Sequence, residues 1–98
     1  GASGVISVAG HVIAARLRAL VEQVDAGDLP AARREAAAQR HIISAIMGSG
    51  QGAVMAKEAL KLLGIIPSAT LRLPLVGAST AQIAELAEAL RAEGLLAS

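Results

Sequence analysis

Phenylalanine, tryptophan and tyrosine are all absent from this chain of 98 residues. An independent core of that size normally uses aromatic side chains, because each buries a large area at a small entropy cost. Their absence also removes any platform on which bases could stack, and no basic stripe takes its place, so nucleic acid is not an expected partner. Cysteine is missing too. That excludes disulfides and zinc–thiolate sites and fits a cytoplasmic setting. No apolar run approaches the roughly 18 residues that a membrane-spanning helix requires, and no basic-then-apolar leader opens the sequence. Charge of one sign is lacking as well: nine basic and eight acidic residues leave a net charge of +1.

What is present is alanine and leucine, 23 and 13 residues respectively. Hydrophobic residues make up 54% of the chain and mean hydropathy is +0.58, far too apolar for a disordered segment. Alanine favours helix strongly but buries little surface. The composition therefore predicts a helical chain with a thin core, stabilised in part by contacts with other chains or with a larger parent.

Gly4-Val5-Ile6-Ser7-Val8 is a short β-branched run between glycines and reads as one buried strand. A lone strand leaves its backbone donors and acceptors without partners, and no second convincing strand follows. A first helix is expected over residues 11–26, with Ile13, Leu17, Leu20, Val21 and Val24 on one face and Arg16, Arg18, Glu22 and Asp25 directed elsewhere. Gly27 suits the left-handed position that ends a helix. Asp28 caps a second helix, with Pro30 in its first turn, that reaches Met47. Its expected buried stripe is Leu29, Ala32, Ala36, Ile43, Ile46 and Met47, with Arg33, Arg34, Glu35 and Arg40 in solvent.

Three glycines within residues 48–52 break the helical pattern. A third helix is expected over residues 53–63, with Ala56, Leu60 and Leu63 on one face and Gly64 as its stop. An extended connection spans residues 67–78. Ser79 and Gln82 have the spacing of a capping box at the start of a fourth helix. That helix turns Ile83, Leu86, Ala87 and Leu90 inward and ends at Gly94, with Leu95 folding back over its last turn.

The order of these segments resembles the closing portion of the dihydrodipicolinate synthase and N-acetylneuraminate lyase family, and within it the dihydrodipicolinate synthases most. Gly4-Val5-Ile6-Ser7-Val8 is similar to the family's eighth barrel strand. Asp25-Ala26-Gly27-Asp28 with Ala31-Ala32-Arg33 is similar to the turn joining the next two helices. Leu71-Arg72-Leu73-Pro74-Leu75, after a helix carrying Ala59, Leu60 and Gly64, is similar to the stretch before the last helix. Glu93-Gly94-Leu95-Leu96 is similar to the family's terminus. One segment departs from the pattern: residues 48–52 are glycine-rich where relatives often carry an Asn-Pro-x-Pro-like stretch.

The resemblance implies a (β/α)8 barrel, a fold of about 250 residues. Of this fold the chain would supply the last strand (residues 1–9), two helices (10–47) and a C-terminal helical extension (48–98), so that by itself it is mainly α. It implies a Schiff-base class I lyase that condenses pyruvate with aspartate semialdehyde in lysine biosynthesis, without a further cofactor, in a homo-oligomer, usually a tetramer. Pyruvate would be held on a lysine at the end of the sixth strand, with a tyrosine relay moving protons. This chain has no tyrosine and begins after that strand, so the resemblance assigns it no catalytic residue and makes it inert alone. Ile6 is the one substrate-binding residue it implies, touching pyruvate partly through its backbone carbonyl.

The remaining chemistry-bearing residues have plainer readings. Lys57 and Lys61 are the only lysines. A Schiff-base amine needs burial or a neighbouring cation, and mid-helix lysines are rarely buried. His11 and His41 lack companions at metal-ligand spacing and read as helix-terminal or surface histidines. Glu85 and Glu88 read as a solvated helix face. Residues 48–52 lack the lysine and the preceding strand of a phosphate-binding loop. No metal site follows from the sequence. A self-standing helical oligomerisation or interaction module is the alternative reading, since alanine-rich faces permit close helix approach.

Overall fold

The computed structural model describes residues 1–97. They form four helices: α1 (Gly10–Asp25), α2 (Leu29–Met47), α3 (Gly52–Leu62) and α4 (Thr80–Ala92). Three of the four starts carry a side-chain cap. Asp28 Oδ1 accepts the Ala31 amide at 3.1 Å, and Pro30 occupies the first turn of α2, where no N–H is required. Gln51 Oε1 accepts the Ala53 and Val54 amides at 2.7 and 3.2 Å and caps α3. At α4 the box predicted by Ser79 and Gln82 is complete: the Gln82 amide donates to Ser79 Oγ at 3.2 Å and the Ser79 amide to Gln82 Oε1 at 2.8 Å.

Three helix ends share one geometry. Gly27, Gly64 and Gly94 have φ of 77°, 74° and 72°, a region that costs an L side chain steric energy. In each case the next residue's amide reaches back to a carbonyl five residues earlier: Asp28 to Gln23, Ile65 to Leu60 and Leu95 to Leu90, all at 2.9 Å. These are the Schellman closures that satisfy terminal carbonyls. Leu95 packs against the core, as its sequence position predicts.

The centre of the molecule is α2, which packs against α1, α3 and α4; α3 also meets α1 and α4, whereas α1 and α4 do not pack on one another. Ile13, Ile42, Ile46, Met55, Leu86 and Leu90 are the largest fully buried side chains. Among the described residues half of the buried apolar positions are alanine, while ten large apolar side chains remain exposed. That is the thin core expected of the composition.

Two expected faces are displaced. In α2, Leu29, Ala36 and Met47 are exposed; the buried stripe is Ala32, Gln39, Ile42, Ala45 and Ile46, with Ile43 half-buried. The apolar reading missed the stripe because a glutamine occupies its middle. In α3 the residues buried deepest are Met55 and Ala59, so that Leu60 and Leu63 lie at its edge. Val21 and Val24 of α1 are exposed too.

The largest difference concerns residues 4–8. No strand is present among the described residues, and this run precedes α1 without secondary structure. Its β-branched residues still disfavour helix, yet the described part of the chain offers no strand against which its backbone could pair. The connection from α3 to α4 is extended apart from one turn, where the Leu73–Pro74 peptide is cis and the Leu75 amide meets the Arg72 carbonyl at 3.1 Å. No helix among the described residues is long and apolar enough to cross a membrane.

Candidate functional site

Ile6 lies in the segment that leads into α1, and its side chain is wholly exposed. The anchor follows it: Ala9 and Ile13 are buried one turn apart, and the Gly10 amide donates to both the carbonyl and the hydroxyl of Ser7 at 3.2 Å. The His11 amide reaches the Val8 carbonyl at 3.3 Å. Val5 and Ser7 border the same shallow depression as Leu17 and Val21 of α1, but Val5 remains 69% exposed. The hydrogen bonds that tie the segment down begin at Ser7, and the Ile6 side chain stands open to solvent.

The two lysines take no part in a buried site. Lys57 is exposed and its Nζ donates to the Thr70 carbonyl at 2.8 Å, which pins the extended connection to α3. Lys61 is exposed on the next turn. Both histidines are exposed, His11 in the first turn of α1 and His41 within α2 rather than at its end. Glu85 and Glu88 lie on the exposed face of α4. Among the described residues no group of three or more histidine, aspartate or glutamate side chains is placed to hold a metal ion. His11 and Lys57 do share an open groove of about 630 Å³ with Val8, Met47, Ala56 and Leu60, a juxtaposition that their separation in sequence conceals.

The most organised polar constellation is one the apolar pattern hides. Arg16 of α1 donates from Nε to Glu35 Oε1 of α2 at 3.0 Å, and from Nη1 to Glu93 Oε2 at the end of α4. Gln39, 2% exposed, donates from Nε2 to Glu35 Oε1 at 2.9 Å and to the Arg16 backbone carbonyl at 3.1 Å. Burial would lower the pKa of Arg16, but hydrogen bonds to Glu93 and Glu35 outweigh it and raise the value. Hydrogen bonds from Gln39 and then from Arg16 hold the Glu35 carboxyl below its ordinary range. Glu35 was expected in solvent and Arg16 only away from the apolar face of α1; both are half-buried. The signal available in the sequence was spacing: Ala32, Glu35, Gln39, Ile42 and Ile46 recur on one helical face.

A second polar tie joins the glycine-rich turn to α4. Gln82 Nε2 donates to the Ser49 carbonyl. A Cβ on Gly50 would lie 3.0 Å from that same Nε2, so glycine there permits the close approach. The arrangement holds helices in place and presents no nucleophile with its base.

The sequence model of the dihydrodipicolinate synthetase family matches residues 1–93. The chain belongs to that family. It is 46% identical over 96 residues to the 4-hydroxy-tetrahydrodipicolinate synthase of Bifidobacterium longum (strain NCC 2705), a match covering 98% of this chain and 32% of that protein. The proteins of the same name from Kineococcus radiotolerans and Moorella thermoacetica are 40% identical over 95 residues and 38% identical over 98 residues. Those matches cover 97% and 98% of this chain, and 31% and 32% of the two relatives. The chain thus spans about a third of the length of these family members.

Proposed function

We propose that this chain is the closing portion of a pyruvate-dependent lyase of the dihydrodipicolinate synthase kind and performs no chemistry by itself. Residues 4–8 would form the last strand of a barrel, and the four helices would brace its wall. Ile6 would then stand near the barrel mouth and contact pyruvate, partly through its backbone carbonyl. The parent would join pyruvate to aspartate semialdehyde through a Schiff base on a lysine supplied from elsewhere, and would work as a homo-oligomer.

One observation carries this reading. A family chain that covers only a third of its relatives presents its single β-prone segment, with Val5 and Ile6 exposed, to solvent rather than to a sheet. The absence of tyrosine and the exposed placement of Lys57 and Lys61 favour inertness of the chain alone.

The test is reductive trapping. The 98-residue chain incubated with pyruvate and borohydride keeps its mass. The longer protein containing it gains a single reduced pyruvate on a lysine outside this sequence. An adduct on Lys57 or Lys61 overturns the claim of inertness, and no adduct on the longer protein overturns the lyase reading.

A further inference from the structure

Between Ile6 and the body of α1 the backbone leaves helical geometry: Ile13 has φ −117° and ψ 27°. The turn that carries residues 7–12 is therefore joined to the rest of the helix through a kink. Buried Ala9 and Ile13 hold that kink against the core, but apolar contact is non-directional and does not by itself fix a rotation. Arg16 lies one turn beyond the kink, on the same stripe as Ala9 and Ile13. Its guanidinium fork meets a carboxylate on each of two other helices, and a two-carboxylate clamp of that kind is strongly directional. One of those carboxylates is Glu93, the C-cap of α4, a helix whose backbone does not pack against that of α1.

We propose that Arg16 is a positioning residue: by bridging Glu35 and Glu93 it fixes the body of α1 against α2 and α4, and through the Ile13 kink it sets the register of the segment bearing Ile6. This rests on the lyase reading where it concerns substrate, since the segment would then present the Ile6 carbonyl to pyruvate. Gln39 belongs to the same device. Its amide binds Glu35 and the Arg16 carbonyl together, so the backbone just past the kink is held as well as the side chain.

Two measurements separate the clamp from the lyase reading. The first is amide hydrogen exchange on the 98-residue chain carrying Glu93→Gln, a near-isosteric change that keeps the helix cap. Exchange at Gly10, His11, Val12 and Ile13, whose amides bond within that first turn, should quicken about tenfold, although Glu93 lies far from these residues in sequence. Unchanged exchange there overturns the clamp, whatever the parent does. The second uses the longer lyase with Arg16→Gln and Arg16→Lys. A displaced carbonyl raises KM for pyruvate about fivefold or more with kcat within about twofold, and lysine, which can reach one carboxylate at a time, restores part of the loss. A fall in kcat with KM unchanged marks a smaller folded fraction and overturns the positioning role. Quickened exchange in the chain together with no pyruvate adduct on the unmutated longer protein overturns the lyase reading and leaves the clamp standing.

Discussion

Glu35 shows how one residue's surroundings set a pH dependence. Gln39 and Arg16 donate to its carboxylate and depress its folded-state pKa. A depressed carboxyl stabilises the fold at every pH above its unfolded value, near ~4.3, and that stability is lost as pH falls through the lower folded value. Urea midpoints recorded downward from pH 6 should therefore fall through this window, and Glu35→Gln should flatten the decline. An unaltered slope would show that the carboxyl is not held in solution. At the apolar positions, Ile46 is fully buried beside Ile42. Ile46→Ala should cost about 2–5 kcal/mol by denaturant unfolding, the usual range for a core truncation, and the thin surrounding core leaves little to collapse into the space. Buried residues were legible only where they were apolar. Gln39 was invisible, because a glutamine in a core stripe is recognised by its partners, and one of these, the Arg16 carbonyl, lies on another helix.

The helices themselves were the best-read feature, because their boundaries are set by local chemistry. Asp28, Ser79 and the glycines at 27, 64 and 94 act through neighbours within a few residues, so their effect can be read without the fold. Removing the Ser79 hydroxyl tests this directly: Ser79→Ala leaves the Gln82 amide without its acceptor and should cost about 0.5–2 kcal/mol, seen as a lowered thermal midpoint in circular dichroism. A loss well below that range would mean that water replaces the cap at no penalty. Face assignment was poorer than boundary assignment. In α3 the apolar residues are so dense that several stripes fit equally well, and contacts with α2 and α4 selected Met55 and Ala59 over Leu60 and Leu63.

At the scale of the molecule, the family was legible from four short stretches in the right order, whereas the strand was not realised. A strand is a property of its neighbours, and residues 4–8 have no strand beside them among the described residues.

The Arg16–Glu93 bridge joins positions 77 residues apart in sequence, between helices whose backbones do not otherwise pack on one another. A contact between such distant positions carries a large loop-closure cost before it is rewarded, so it is expected to form late on the folding route. Interactions absent from the transition state govern how fast a protein comes apart rather than how fast it forms. In a stopped-flow chevron, Glu93→Gln should leave the refolding limb in place while raising the unfolding limb; a slowed refolding limb would place the bridge in the transition state instead.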